Sequence, residues 1–190
     1  NSGHVRIYNY NGTAWTQLGG DIDGETSSDY SGNSVSLSSD GKTIAIGASV
    51  NDGPGSNSGH VRIYNYNGTA WTQLGGDIDG EAAGDQSGQS VSLSSDGKIV
   101  AVGAKTNDGN GTNSGHVRIY NYNGTAWTQL GTDIDGEAVS DQSGYSVSLS
   151  SDGKTVAIGA VANGTSSGHV RIYNYNDTDW AQLGADIDGE

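Results

Sequence analysis

The segment NSGHVRIYNYNGTAWTQLG occupies residues 1–19, returns unchanged at 57–75 and 113–131, and returns in altered form as SGHVRIYNYNDTDWAQLG at 167–184. The arginines that mark its register, Arg6, Arg62, Arg118 and Arg171, lie 56, 56 and 53 residues apart (62 − 6, 118 − 62, 171 − 118). A period of this length belongs to stacked or ring-forming supersecondary units, none of which buries its own faces alone. Any site is then built several times over, or built between copies. That argues against a lone asymmetric catalytic centre.

Four segments per copy carry strand signals. In the copy at 25–80 they are residues 34–38, 43–48, 60–66 and 70–75. Val35 and Leu37 alternate with serines, Ile44 and Ile46 with Thr43, Ala45 and Gly47, and Val61 and Ile63 with His60, Arg62 and Tyr64. Ser39-Asp40-Gly41 reads as a tight turn between the first two. Asn67-Gly68, like Asn11-Gly12, reads as a type I′ hairpin between the last two. No apolar set recurs with helical spacing, and Gly interrupts every window. Each copy is therefore a four-stranded antiparallel meander, with an Asn-, Asp-, Gly- and Ser-rich loop at 49–59. Such units at a regular period predict an all-β fold of propeller-type blades, in a closed ring or an open superhelical array. The chain divides into a partial blade (1–24) and three blades (25–80, 81–136 and 137–190). It reads as an excerpt of a longer array, or the ordered part of one.

Composition narrows the function. Of 190 residues 32 are Gly, with no Phe, Met or Cys, so the core must come from Val, Ile, Leu, Ala and a few Trp and Tyr. A net charge of −14 disfavours nucleic acid and anionic membranes, since phosphate binding needs clustered Lys and Arg. No apolar run reaches the length of a membrane span.

SGQSVSLSSDGKIVAVGA (residues 87–104) together with NSGHVRIYNYNGTAWTQLG resembles the FG-GAP repeats of integrin-α-type β-propellers, which are also common in large secreted bacterial proteins. Ser31-Gly32, Ser87-Gly88 and Ser143-Gly144 stand where that family has Phe-Gly. Gly47-Ala48, Gly103-Ala104 and Gly159-Ala160 stand where it has Gly-Ala-Pro, with Ser49, Lys105 and Val161 in place of Pro. The resemblance implies Ca²⁺ in an acidic loop between the first two strands of a blade. Here that loop carries one carboxylate, Asp40, too few for the six to eight oxygens Ca²⁺ takes.

The candidate sites recur with the period. The acidic stretch DIDGE, read as a connection between units, supplies Asp21, Asp23 and Glu25, then Asp77, Asp79 and Glu81, then Asp133, Asp135 and Glu137, then Asp186, Asp188 and Glu190. Alternating carboxylates around a Gly can wrap a hard cation, so Ca²⁺ is the cofactor to consider; capping of backbone N–H groups or pairing with Arg is the alternative. Asn11, Asn67, Asn123 and Asn176 head N-glycosylation sequons at hairpin tips, and Asn110 and Asn163 head two more in loops. When Gly gives way to Asp at position 177, the sequon at Asn176 persists. His4, His60, His116 and His169 come once per copy, too few for a zinc site within one copy, and are expected to be exposed or hydrogen-bonded. The arginines are expected to pair with acids or stack on rings between units, and Trp15, Trp71, Trp127 and Trp180 to pack. Four equivalent acidic stretches do not drive two pKa values apart as carboxylate-pair catalysis requires, so no enzyme is expected.

The function expected is an extracellular structural repeat, a segment of a surface fibre or stalk that self-associates into a ring or fibre. An adhesion-type propeller binding protein or glycan through its loop face is the alternative.

Overall fold

The computed structural model describes residues 2–163 and 167–190. Among them there is no helix, and therefore none long and apolar enough to cross a membrane. The first copy contributes β1 (His4–Val5), β2 (Tyr8–Tyr10), β3 (Trp15–Gln17) and β4 (Ile22–Asp23). The first full sheet is β5 (Ser34–Leu37), β6 (Thr43–Ala48), β7 (His60–Tyr66), β8 (Trp71–Gln73) and β9 (Ile78–Asp79). The second is β10 (Ser90–Leu93), β11 (Ile99–Ala104), β12 (His116–Tyr122), β13 (Trp127–Gln129) and β14 (Ile134–Asp135). The third is β15 (Ser143–Leu149), β16 (Thr155–Ala160), β17 (His169–Tyr175), β18 (Trp180–Gln182) and β19 (Ile187–Asp188).

Each full sheet is an antiparallel meander whose outermost strand is broken in two. β8 pairs with one half of β7 and β9 with the other, matching His60 to Asp79 and Val61 to Ile78. This corrects the reading of DIDGE as a connection between units. Its density of acids and Gly hides one apolar residue, and that residue is core: Ile22, Ile78 and Ile134 are 5%, 4% and 5% exposed.

The hairpin tips also differ from expectation. Gly12 has φ +98°, but Asn11 is not in the left-handed region, so the turn is not type I′. Asn11 instead opens a four-residue loop between the paired Tyr10 and Trp15. Its Oδ1 accepts from Thr13 N, Ala14 N and Thr13 Oγ1 at 2.8–3.0 Å. The same closure recurs at Asn67, Asn123 and Asn176. At the last tip Asp177 takes the left-handed φ that Gly holds elsewhere.

Every hydrophobic cluster lies between sheets. Ala45, Val61, Ile63 and Ile78 pack on Val91, Leu93, Val100, Val102 and Tyr120 of the next sheet. Ile44 and Ile46, on the other face of β6, pack on Val5, Ile7 and Ile22 of the preceding copy. Ala101, Val117, Ile119 and Ile134 pack on Val156, Ile158 and Tyr173. Alternation along a strand thus sends one residue forward and the next backward, and both faces end buried. The inner strands add polar ties between sheets: Ser34 Oγ donates to Gly88 O and Ser90 Oγ to Gly144 O, both at 2.8 Å.

Candidate site between repeats

His60, Arg62 and Tyr64 lie on the face of β7 turned toward the preceding copy, opposite Val61 and Ile63. The preceding copy meets them with the end of its own DIDGE. Arg62 donates to Asp23 O at 2.8 Å and its Nη1 lies 3.4 Å from Glu25 Oε1. Arg118 repeats this with Asp79 O and Glu81, and Arg171 with Asp135 O and Glu137. Each guanidinium also lies over the Tyr two residues on, 5.6–5.7 Å from the ring centroid. The arginines therefore pair with acids across the junction as expected, while the ring each one covers belongs to its own strand and not to a neighbouring unit. The tryptophans add a further tie, with Trp71, Trp127 and Trp180 Nε1 donating to Leu18, Leu74 and Leu130 O of the preceding copy at 2.7–2.8 Å.

The histidines depart from expectation. His60, His116 and His169 are buried, and each ring nitrogen Nδ1 faces carboxylates at distances too long for a hydrogen bond. His60 Nδ1 is 3.8 Å from Asp77 Oδ2 and 4.0 Å from Glu25 Oε2. His116 Nδ1 is 3.7 Å from Asp133 Oδ2 and 4.0 Å from Glu81 Oε2. His169 Nδ1 is 3.9 Å from Asp186 Oδ2, and neither of its ring nitrogens has a hydrogen-bond partner. In each triad, with Glu137 completing the third, the three ligand-type atoms lie within 4.8 Å of one another.

The carboxylates are held from behind. Gln73, Gln129 and Gln182 Nε2 donate to Oδ1 of Asp77, Asp133 and Asp186 at 2.5–2.7 Å, leaving Oδ2 toward the ring. Arg holds one oxygen of each Glu, leaving the other toward the same ring. The Gly before each Glu permits the approach: a Cβ on Gly80 would sit 2.0 Å from Ser58 O.

Burial pushes the His116 imidazole down to about 4, helped by Arg118 and opposed by Asp133 and Asp85. Burial likewise lowers His60, against Asp77 and Glu25. Both rings are neutral at pH 7. Burial also pushes the Tyr120 hydroxyl up to about 12. The first copy shows the arrangement without a predecessor. There His4 and Arg6 are exposed, and Arg6 folds onto its own Asp21 at 2.9 Å, which together with Gln17 holds that carboxyl below its ordinary range.

The acids of one DIDGE thus serve different partners. Asp77 faces His60 of its own copy, the Asp79 carbonyl accepts from Arg118 of the next, and Glu81 reaches His116 of the next. Asp188 and Glu190 have no following copy within the chain. The sequon residues Asn11, Asn67, Asn123 and Asn176 are exposed at the hairpin tips. Asn110 is tied by its Nδ2, which donates to Gly136 O and Glu137 O. The sequon at Asn163 extends into Gly164 and Thr165, outside the described residues. The triad escaped the sequence reading because Glu25 and His60 are far apart in the chain. The available signal was that Glu and His each recur once per copy, in fixed phase with the first Asp of DIDGE.

The FG-GAP repeat profile matches residues 22–64 and 78–120, two stretches in the same phase one period apart. Those two stretches are FG-GAP repeats. The two signature positions of these FG-GAP units touch across the interface: a Cβ on Gly103 would lie 2.2 Å from Gly144 O and 2.4 Å from Ser90 Oγ. Gly144 itself has φ +81°. Glycine at both motifs is therefore what lets neighbouring blades close.

No protein of curated function matches the sequence. Among solved structures, the chain is similar to a candidate 6-phosphogluconolactonase from Bacteroides uniformis (TM-score 0.68, 14% identity, 100% of this chain and 50% of that one). A counterpart from Bacteroides fragilis gives TM-score 0.64 at 14% identity, over 96% and 48% of the two chains. Hydrazine synthase of Kuenenia stuttgartiensis gives 0.57 at 12%, over 97% and 43%. The chain spans about half the length of these structures, and the likeness is one of fold.

Proposed function

We propose that this FG-GAP chain is a non-enzymatic, extracellular structural repeat, a segment of a surface fibre or stalk built by stacking blades head to tail. The observation that carries this reading is one interface made three times within the chain in the same geometry: Arg62, Arg118 and Arg171 each donate to a DIDGE carbonyl of the preceding copy, and Trp71, Trp127 and Trp180 each donate to its leucine carbonyl. A heterologous contact repeated in this way builds a ring if the rotation closes and a filament if it does not. Occupied glycosylation at Asn11, Asn67, Asn123 and Asn176 belongs to the same reading, since the tips point away from the stack. Light scattering against concentration, with negative-stain microscopy, tests it. Fibres or rings are expected; a monomer at every concentration overturns it.

A second reading, adhesion through the loop face, is favoured by one feature. The segment where the copies differ most, 26–30, contributes Ser28 and exposed Tyr30 to an open cavity of about 560 Å³ with Gly3, Ser31, Gly32 and Asn33. Binding on a glycan array that Tyr30→Ala removes would support adhesion over assembly.

A further inference from the structure

The Glu–His–Asp triads are not explained by packing or by blade assembly. A buried imidazole with no hydrogen-bond partner costs about 1–3 kcal/mol of desolvation. His169 sits in that condition with a carboxylate oxygen 3.9 Å from its Nδ1. If the carboxylates served only as hydrogen-bond acceptors for the ring, N···O distances near 2.8 Å would be expected. Instead three nitrogen–oxygen sets open to 3.7–4.0 Å.

That spacing suits atoms that share a metal. Ligands about 2.1 Å from a tetrahedral ion are about 3.4 Å apart, so modest closure of the exposed Glu side chain brings three donors to that spacing and leaves the fourth position to water. The donors are one imidazole nitrogen and two carboxylate oxygens, a set that suits a first-row divalent ion better than Ca²⁺, which takes oxygens alone. The outer shell is already in place: Gln73, Gln129 and Gln182 orient the Asp ligands, and Arg62, Arg118 and Arg171 orient the Glu ligands. Two carboxylates against one guanidinium leave each site with a negative charge for a cation to offset.

We propose that each junction between copies binds one divalent ion of the Zn²⁺ kind. Its ligands are Glu25, His60 and Asp77; Glu81, His116 and Asp133; and Glu137, His169 and Asp186. Because each Glu follows the last strand of one sheet (β4, β9 or β14) while His and Asp belong to the following sheet, the ion ties consecutive sheets together. The proposal stands on these internal junctions and is independent of the fibre reading.

The test is titration of the EDTA-treated chain with ZnCl₂ by calorimetry and native mass spectrometry, with CaCl₂ in parallel. Three Zn²⁺ per chain and a raised melting temperature are expected, with Ca²⁺ failing to compete. Glu25→Gln, Glu81→Gln and Glu137→Gln alter half-exposed side chains and keep their shape and a carbonyl oxygen for the arginine, so each variant should fold. Each should remove one Zn²⁺ from the stoichiometry or weaken one site roughly tenfold or more. His60→Gln, His116→Gln and His169→Gln should do the same. Absence of binding at millimolar Zn²⁺, or undiminished binding in the triple Glu variant, overturns the proposal.

Discussion

Ile134 and Ile187 occupy the same position of the same DIDGE segment, each paired with the equivalent valine of its blade, Val117 or Val170. They differ in what covers them. Ile134 is 5% exposed because the third sheet packs on it, and Ile187 is 56% exposed because none does. Replacing Ile by Ala removes three carbons, worth about 2.4 kcal/mol at ~0.8 kcal/mol each when fully buried. The cavity left among Val117, Ile119 and Val156 brings the cost of Ile134→Ala to about 3 kcal/mol. At Ile187 under half of the transfer free energy applies and no cavity is enclosed, so the cost is about 1 kcal/mol. Urea unfolding of the dilute, monomeric chain, monitored by tryptophan fluorescence with unchanged m-values, should separate the variants by about 2 kcal/mol. Equal costs, or a larger one at Ile187, would refute the argument that burial here comes from the neighbouring blade.

Gly103→Ala drives a methyl against Gly144 O and Ser90 Oγ and should destabilise by about 1–3 kcal/mol or more, read from the urea midpoint; a neutral result would mean the blades have slack. Ser28 and Ser140 hold the left-handed φ that Gly84 holds in the middle copy, so Ser28→Gly and Ser140→Gly should each stabilise by up to about 1 kcal/mol, checked by melting temperature. The pH dependence of the chelated chain follows from His116, which faces Glu81, Asp133 and Arg118 with Asp85 nearby. Its folded pKa of about 4 lies below the unfolded 6.5, so the unfolded chain binds more protons between these values. The stability it lends is complete above pH 6.5 and is lost as pH falls toward 4, by at most about 3 kcal/mol. Wild type and His116→Gln should therefore converge on acidification, and a pH-independent difference in urea midpoint would contradict this.

Much of this fold was legible in single residues. Ile44 with Ile46, and Val61 with Ile63, fixed two strands at the bounds the structure gives them, because strict alternation has one register. The broken outer strand was not legible. Ile78 is a lone apolar residue among acids, and only the pairing of Ile78 with Val61 across the sheet shows it to be core. The hairpin was misread because Asn-Gly satisfies a type I′ turn in composition, while the Asn67 side chain, bonding Thr69 N and Ala70 N, builds a longer loop. The triad lay beyond reach for a different reason. Periodicity says that Glu25, His60 and Asp77 recur together but not that adjacent blades bring them face to face; that depends on the angle and offset of stacking, which Gly47, Gly88 and their equivalents set through contacts between copies.

The most direct test of the account is to express residues 81–136 alone and record circular dichroism and amide NMR spectra during heating. Without partners for Val91 and Leu93 on one face and Val117, Ile119 and Ile134 on the other, the segment should be unfolded, with collapsed amide dispersion and no cooperative transition. A sharp melt and dispersed amides from that lone copy would contradict the claim that each sheet depends on the next.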